Sequence, residues 1–312
     1  MEILLAPLEG ITSSVYRQVF DRHFPGIDRF FTPFISANET HKFRSREKRE
    51  VIPYNKKLVP QLIANDPDDF CYAALSLANL GYKEVNLNMG CPSGTVVKKN
   101  KGAGMLSDIG LLKIFFDKVF EKASSYSDFP DISVKTRIGL NDTSCSDSLI
   151  KLLSSYDFSE IIVHPRCAAE FYKGPVHMDI YSEFEEVFAG QKRPLLTYNG
   201  EIKTVDDFND LCSDHPGTTS VMIGRGLISD PSLARQIRGG ERFNNRELKS
   251  FLDELKDTYL EIYGGQKQLL DKMKEIWTYL AVNFPEKKKA VKNLKKASSI
   301  PEYNAYVTEI LQ

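Results

Sequence analysis

The stretch Ile132-Ser133-Val134-Lys135-Thr136-Arg137 carries the alternation that decides the fold class. Successive side chains of a β-strand point to opposite faces, so Ser133, Lys135 and Arg137 share one face and the other three residues share the opposite face. The strands of a βα barrel pack their outer face against helices, so the polar face points into the barrel. Active sites of such barrels lie at the carboxyl ends of the strands, where Lys135 and Arg137 are expected.

Seven further short apolar runs along the first three quarters of the chain have the length of strands. They cover residues 3–6, 30–34, 58–63, 84–88, 161–164, 195–198 and 220–223. Amphipathic stretches such as residues 68–80 and 205–211 have the length of crossover helices. About eight βα units predict an α/β protein, either a closed (β/α)8 TIM barrel or a doubly wound sheet. Polar residues end many of these strands, whereas a doubly wound sheet gathers its ligand residues at one switch point, so the TIM barrel is favoured.

The chain changes character after Gly239-Gly240. Apolar residues then recur at helical spacing, and the first series consists of Leu248, Phe251, Leu252, Leu255, Tyr259 and Ile262. A second series follows over residues 269–280, and two shorter helices are expected around residues 286–297 and 301–311. The sequence thus predicts a catalytic barrel domain over residues 1–240 and a small all-helical domain over residues 241–312.

The composition is that of an ordinary globular protein. No uninterrupted apolar stretch approaches the ~20 residues that cross a bilayer, and the first residues lack the basic start and apolar core of a signal peptide. Five scattered cysteines without paired CxxC spacing favour thiols in a reducing cytoplasm over disulfides or a metal site. We therefore expect a cytoplasmic protein with no membrane segment and no metal.

The net charge of −1 gives no sign of nucleic-acid binding, so basic groups would have to be gathered in patches. One basic run, interrupted by Glu47, consists of Lys42, Arg44, Arg46, Lys48 and Arg49. A second run, with no acid after Glu286, consists of Lys287, Lys288, Lys289, Lys292, Lys295 and Lys296. Such a run is usually a solvated face, but two runs beside a barrel mouth can together follow an RNA backbone.

Two glycine-bearing turns predict phosphate binding. Asn199-Gly200-Glu201 follows the seventh predicted strand, and Gly224-Arg225-Gly226 follows the eighth. Barrels commonly bind phosphate with these two loops, where glycine lets the backbone approach closely and an arginine adds charge-assisted hydrogen bonds. Either sequence alone is more often a plain turn, but the two in these places indicate a phosphorylated cofactor.

Three side chains at the same end of the strands indicate chemistry. Cys91 lies in Asn88-Met89-Gly90-Cys91-Pro92-Ser93, on the loop that leaves the fourth strand, where such barrels hold catalytic groups. Lys135 needs a partner, because burying an ammonium in an apolar core is costly. His164 is either a hydrogen-bonded core histidine or a site residue.

Six segments in this order form a recognisable pattern: Ala6-Pro7-Leu8-Glu9-Gly10, Asn88-Met89-Gly90-Cys91-Pro92-Ser93, Lys135-Thr136-Arg137, Val163-His164-Pro165-Arg166, Asn199-Gly200-Glu201-Ile202 and Met222-Ile223-Gly224-Arg225-Gly226. They resemble the signature blocks of the tRNA-dihydrouridine synthases. The resemblance spans residues 3–231, and the later helices are similar to the family's C-terminal RNA-binding domain. It implies an FMN-dependent enzyme of the bacterial type that uses NADPH to reduce uridines in tRNA.

The resemblance also implies roles for single residues, with Cys91 as the general acid. The segment that lies against the flavin would be Pro7, Leu8 and Glu9. Contacts to the isoalloxazine ring are expected from Gln61, Lys135 and His164. The cradle for the phosphate and ribityl chain is expected from Asn199, Gly200, Glu201, Gly224 and Arg225. In the family's reaction NADPH reduces FMN, hydride passes to C6 of a flipped-out uracil, and Cys91 would protonate C5.

The tRNA substrate is expected to contact Asn88, Lys98, Lys99, Arg137 and Arg166. The chain departs from the family pattern at Leu8, which replaces a methionine, at Pro165, which replaces a glycine, and at Gly94, which replaces a lysine. The phosphate contact of that lysine is either missing here or made by Lys98 or Lys99. The opening segment and Asn199-Gly200-Glu201 resemble the bacterial branch that modifies position 16 of tRNA. The enzyme is expected to be a monomer.

Two other functions are consistent with parts of the sequence. An FMN barrel oxidoreductase acting on a small molecule, similar to dihydroorotate dehydrogenases or ene-reductases, explains Lys135, His164 and the phosphate turns equally well. It does not explain the basic helical domain, and it makes the Gly-Cys-Pro-Ser block unexpected. A catalytically idle RNA-binding protein on the same barrel does not account for Cys91 beside an intact cofactor cradle.

Overall fold

Ten strands form one parallel sheet in the computed structural model, which describes residues 1–52, 55–188, 190–263 and 265–312. The strands are β1 (Glu2–Leu5), β2 (Arg29–Phe31), β3 (Ile35–Ser36), β4 (Leu58–Val59), β5 (Gln61–Ile63), β6 (Glu84–Met89), β7 (Asp131–Arg137), β8 (Glu160–His164), β9 (Leu195–Tyr198) and β10 (Ser220–Ile223). They follow the order β3-β5-β6-β7-β8-β9-β10-β1-β2-β4.

The two ends of this order meet, because two of the strands are interrupted. Only Pro60 separates β4 from β5, and proline, which has no N–H, breaks the ladder there. Since β2 pairs with β4 and β3 pairs with β5, the four segments are two interrupted strands side by side. Counted in this way, eight strands close into a ring from β1 to β10 and back to β1. The predicted (β/α)8 TIM barrel is confirmed.

Fourteen α-helices accompany these strands within the described ranges. They are α1 (Ser14–His23), α2 (Ser45–Val51), α3 (Pro67–Ala78), α4 (Gly94–Val97), α5 (Ile109–Ala123), α6 (Ser146–Leu153), α7 (Met178–Phe188), α8 (Val205–Asp214), α9 (Arg225–Ser229), α10 (Leu233–Ile237), α11 (Asn245–Tyr263), α12 (Gln266–Leu280), α13 (Lys288–Leu294) and α14 (Ile300–Leu311). The start of α3 shows a local cause: Pro67 occupies the first turn, and the Asp66 carboxylate accepts from the N–H groups of Asp68 and Asp69.

The chain divides by its contacts into two compact units, each made of several segments. The first unit comprises Met1–Ala6, Asp28–Glu201 and Leu211–Met222 and holds the barrel strands. One half of its interior is apolar, where side chains from β1, β2, β4, β8 and β10 form one cluster: Leu4, Ala6, Phe31, Val59, Ile162 and Met222. The other half is polar, since Gln61, Asn86 and Ser133 on β5, β6 and β7 are fully buried.

The second unit comprises Pro7–Ile27, Ile202–Asp210 and Ile223–Gln312. Helix α1 packs against α11, where Phe251 meets the rings of Tyr16, Phe20 and Phe24 at centroid distances of 5.8, 6.3 and 5.2 Å. The predicted apolar series of α11 is buried except for its last member, Ile262, which is 42% exposed near the end of the helix. A hydrogen bond from Trp277 Nε1 to the Tyr303 hydroxyl joins α12 to α14.

Candidate active site

Predicted site residues of the first unit lie on neighbouring strands, and all but Gln61 are near the carboxyl ends of their strands. Gln61 begins β5, while Asn88 lies near the end of β6, opposite Lys135 of β7. Arg137, the last residue of β7, pairs with His164, the last residue of β8. Because parallel strands end at the same edge of the sheet, the structure brings these residues together.

The loop after β6 holds Cys91 from both sides. The Asn88 Oδ1 atom accepts from the backbone N–H groups of Gly90 at 3.1 Å and Cys91 at 2.9 Å. The 3-10 helix Gly102–Ser107 then packs back on the loop, and its Ala103 N–H donates to the Cys91 carbonyl at 3.1 Å. A Cβ at Gly102, where φ is +56°, would lie 3.1 Å from the Cβ of Cys91, so only glycine fits this approach. The backbone of Cys91 is therefore held at both its N–H and its carbonyl.

Arg137 binds two loops at once. Its Nε donates to the Gly90 carbonyl at 3.0 Å, and its two terminal nitrogens donate to the carbonyls of Cys167 at 2.9 Å and Phe171 at 3.1 Å. The side chain is 1% exposed, and its guanidinium lies 5.7 Å from the ring of Tyr172. Although Arg137 was predicted to contact the substrate, these bonds indicate that it holds the Cys91 loop against the loop after β8.

Lys135 has an ammonium that makes no hydrogen bond or ion pair with any residue that the structure describes. The side chain is only partly exposed, at the inward face of β7. Burial, reinforced by the charge of Arg137 and opposed by Cys91, lowers the pKa of Lys135 to about 7. An inward amine without a partner among the described residues is suited to an acceptor-rich or anionic ligand. The N1–O2 edge of a flavin has this chemistry, so the site fits the cofactor that the sequence predicts.

His164 and Arg166 form a buried pair beyond β8. Arg166 donates to Glu201 Oε1 at 3.0 Å and to the Gly174 carbonyl at 2.8 Å, and its Nη1 lies 3.4 Å from His164 Nε2. A guanidinium only donates, so His164 presents Nε2 to it as an acceptor. Arg166, another predicted substrate contact, is thus occupied by the protein itself.

The predicted phosphate cradle has members in both units. In the first unit, Asn199 Nδ2 donates to the Met222 carbonyl at 2.6 Å, and a Cβ at Gly200 would lie 2.0 Å from the Tyr198 hydroxyl oxygen. In the second unit, Gly224 and Arg225 lie at the start of α9. Pro7, Leu8 and Glu9 belong to the segment before α1, where the Leu8 carbonyl accepts from the N–H groups at positions 11 and 12.

A basic pocket of about 430 Å³ lies in the first unit near the Cys91 loop. Its cations are Lys42, Arg44, Lys99 and Lys101. The Lys101 ammonium donates to the Ala37 carbonyl at 3.0 Å, which fixes one wall of the pocket. Lys98, at the end of α4, is exposed but does not line it.

Sequence reasoning missed two features of the site. Tyr172 is 46% exposed, and its ring lies 6.0 Å from that of His164, so an aromatic face borders the strand ends. The Phe171-Tyr172 pair shortly after His164 was the available signal. The second feature is Asn86, whose Oδ1 accepts from Gln61 Nε2 at 2.8 Å. The sequence placed Asn86 in a predicted strand and assigned it no role in the site.

The five cysteines are all thiols outside any disulfide. Within the described parts of the chain, no group of three or more His, Cys, Asp or Glu side chains is placed to hold a metal ion. In those same parts, no helix is both long enough and apolar enough to cross a membrane.

Comparison with known proteins gives one family. A family model described as dihydrouridine synthase (Dus) matches residues 4–309. The tRNA-dihydrouridine(16) synthase of Aquipseudomonas alcaligenes is 32% identical over 256 residues, covering 77% of this chain and 77% of that protein. The protein of the same name from Pseudomonas putida is 28% identical over 309 residues, covering 92% of this chain and 90% of that protein.

Among solved structures, morphinone reductase matches with a TM-score of 0.53 and 11% identity, covering 78% of this chain and 87% of that one. The old yellow enzyme homologue from Zymomonas mobilis matches with a TM-score of 0.51 and 12% identity, covering 78% of this chain and 90% of that one. At such low identity these likenesses concern the fold alone.

Proposed function

We propose that this chain, which belongs to the dihydrouridine synthase family, reduces uridine 16 of tRNA to dihydrouridine. The relatives from Aquipseudomonas alcaligenes and Pseudomonas putida are both named tRNA-dihydrouridine(16) synthase, which supports the position. The observation that carries the reaction is Cys91, held by Asn88 and Gly102 on the loop after β6.

FMN is the proposed resident cofactor and NADPH the proposed reductant. The flavin, once reduced by NADPH, supplies the hydride that adds to C6 of the uracil. Lys135 would bind the N1–O2 edge of the flavin with its unpartnered ammonium, and Gln61 and His164 would contact the ring. The phosphate and ribityl chain would be held by Asn199, Gly200, Glu201, Gly224 and Arg225, with Pro7, Leu8 and Glu9 against the ring.

Cys91 would donate its thiol proton to C5 of the uracil. A carbon that becomes basic only as hydride adds needs a proton donor already in place on one face. The Asn88 and Ala103 hydrogen bonds fix the backbone of Cys91 and thereby the side from which the thiol approaches. Arg137 holds the same loop through the Gly90 carbonyl.

The tRNA contacts are proposed on two surfaces. In the second unit, α13 buries Ala290, Val291 and Leu294, whereas the lysines of the basic run from Lys288 onward are exposed. This amphipathic arrangement leaves one basic face that suits an RNA backbone. In the first unit, the basic pocket and the exposed Lys98 offer cations close to the Cys91 loop. Residues 241–312 are therefore the proposed RNA-binding domain and residues 1–240 the catalytic domain.

The proposed substrate gives the enzyme a cytoplasmic location, and the monomeric state remains a prediction.

Nucleoside mass spectrometry of tRNA from cells with and without the gene, mapped to position, tests the function. Loss of dihydrouridine at position 16, restored by the wild type and not by Cys91→Ala, would support the reaction, the acid and the position together. Unchanged dihydrouridine at every position, in a strain without a second such enzyme, would instead favour a flavin barrel acting on a small molecule.

A further inference from the structure

A chain of side-chain hydrogen bonds crosses the polar half of the barrel interior and ends at the Cys91 backbone. Asn88 Nδ2 donates to Gln61 Oε1 at 2.7 Å, and Gln61 Nε2 donates to Asn86 Oδ1 at 2.8 Å. Asn86 Nδ2 in turn donates to Ser133 Oγ at 2.9 Å. We call these four residues, Asn88, Gln61, Asn86 and Ser133, the amide chain. All of its members belong to the first unit.

The amide chain has only one possible direction. A backbone N–H can only donate, so Asn88 must present Oδ1 to Cys91, which turns its Nδ2 toward Gln61. Gln61 must then present Oε1 to Asn88 and Nε2 to the next residue. By the same reasoning, Asn86 must accept from Gln61 and donate to Ser133. The orientation of three side-chain amides thus follows from one backbone group, without any choice between oxygen and nitrogen positions.

The far end of the chain is anchored as well. The Ser133 hydroxyl accepts from Asn86 Nδ2 at 2.9 Å and donates to the Val85 carbonyl at 3.5 Å, so the chain ends on the backbone of β6. Gln61, Asn86 and Ser133 are each 0% exposed, so water cannot replace a lost partner. Removing one member therefore leaves its neighbours unsatisfied or forces them to rotate.

We propose that Asn86 and Ser133 are positioning residues for the reaction, because they fix the Gln61 and Asn88 amides and, through them, the backbone of Cys91. The proposal rests on the proposed role of Cys91 as the acid. If Ser133 loses its hydroxyl, the Asn86 amide loses the acceptor that holds its orientation. The Gln61 amide then loses its fixed partner, and the bond from Asn88 that orders the Cys91 loop weakens.

Ser133→Ala and Asn86→Leu break the chain, and Ser220→Ala is the matched control. Ser220 is also a buried serine on a barrel strand, but its hydroxyl has no hydrogen-bond partner among the described residues. Asn86→Asp serves as the conservative variant, since a carboxylate still accepts from Gln61 and can accept from Ser133. Asn86→Leu removes two hydrogen bonds at once and risks unfolding. Ser133→Ala removes a single hydroxyl, so the proposal can be tested with this variant even if Asn86→Leu does not fold.

The first readout is the rate at which iodoacetamide alkylates Cys91 in flavin-free protein, followed by peptide mass spectrometry with Cys145 as the internal reference. We expect Ser133→Ala and Asn86→Leu to raise this rate at least threefold, and Asn86→Asp to stay within twofold of Ser220→Ala. The second readout is steady-state reduction of tRNA by the flavin-loaded enzyme with NADPH as reductant. We expect kcat to fall at least tenfold in the breaking variants while KM for tRNA stays within twofold.

Alkylation rates and kcat equal to those of Ser220→Ala would overturn the proposal. An equal change at Cys145 would also overturn it, because it would indicate general loosening of the protein. If Cys91→Ala keeps full activity, the proposed role of Cys91 fails, yet the alkylation rates still report whether the amide chain orders its loop. The two failures are therefore distinguishable.

Discussion

The Nε atom of Arg137 donates a hydrogen bond to the carbonyl of Gly90, the residue before Cys91, at 3.0 Å. The same guanidinium reaches the carbonyls of Cys167 and Phe171 on the loop after β8. Three backbone acceptors on two loops thus depend on the fork-shaped geometry of one side chain, which a single ammonium cannot reproduce.

Arg137→Lys is expected to lower kcat for tRNA reduction at least tenfold, although the charge is kept. At least one of the three buried carbonyls would lose its donor, at a cost of about 1–3 kcal/mol for each group left unsatisfied. Steady-state kinetics and thermal unfolding check this. Arg193→Lys, at an exposed arginine paired with Asp131, should leave both unchanged. Full activity of Arg137→Lys would show that the three hydrogen bonds of Arg137 are dispensable for the reaction.

Lys135→Met is expected to stabilise the protein while weakening flavin binding. Because the pKa of Lys135 is lowered to about 7, its folding penalty grows as pH falls from the ordinary lysine value toward 7. The melting temperature of the variant should exceed that of the wild type by a few degrees at pH 7 and by less at pH 10. Lys99→Met, at an exposed position, is the control and should show no such gain. A lower melting temperature at pH 7 would contradict the absence of a partner for Lys135.

Glu84→Gln is expected to change the pH dependence of stability. Burial, followed by repulsion from Glu160, raises the pKa of the Glu84 carboxyl to about 7, although Ser133 and Arg29 oppose the shift. A raised carboxyl pKa favours the protonated folded state, so wild-type stability is lost as pH rises from about 4.5 through 7.

The variant should match the wild type at pH 5 and exceed it by about 1–2 kcal/mol at pH 8 in urea unfolding. Glu2→Gln is the control, because Glu2 is a half-exposed carboxylate that also pairs with Arg29. This variant should not become more stable than the wild type at pH 8. A variant that loses stability at pH 8 would mean that the ion pair with Arg29 outweighs burial.

Phe251→Ala is expected to destabilise the protein by about 3–5 kcal/mol, because it leaves a cavity among buried rings. Tyr16, Phe20 and Phe24 all contact Phe251 edge-on. Leu260→Ala, on the same helix but 39% exposed, should cost no more than about 0.5 kcal/mol. Urea unfolding measures both, and equal costs would argue against tight packing of α1 on α11.

Lys292→Ala combined with Lys296→Ala is expected to weaken tRNA binding and to reduce its salt dependence. Each lost phosphate contact should lower the slope of log K against log salt by about 0.7–0.9. Filter binding at several salt concentrations measures this slope. Lys249→Ala is the control, since that ammonium is paired with Asp253. An unchanged slope would remove α13 from the RNA interface.

The strands of the barrel and the face that carries its site were predictable because both depend on local alternation. All eight predicted strands occur, and the inward direction of Lys135 follows from the two-residue period. The three hydrogen bonds of Arg137 were not predictable, because they end on loop carbonyls, which have no sequence signature. The amide chain was not predictable either, because it depends on the register of three strands. Asn86 lies beside Gln61 only once β5 and β6 are paired in the sheet.

The grouping of α1 with the C-terminal helices was hidden for a different reason. The residues of α1 follow the first strand in the sequence, and nothing local tells which surface will cover them. The contact of Phe20 with Phe251 joins parts of the chain that are far apart in sequence. The proposed boundary at residue 240 divides the chain by function, whereas the two compact units divide it by contacts, so the two divisions do not coincide.

The placement of α1 in the second unit has a consequence for biosynthesis. Helix α1 has ten residues, and an isolated helix of that length is marginal in water. As the nascent chain leaves the ribosome, its aromatic face lacks its partner Phe251 until α11 (Asn245–Tyr263) has been translated. We expect this segment to be a binding site for co-translational chaperones. A ribosome stalled before residue 245 should therefore present a nascent chain that such chaperones retain.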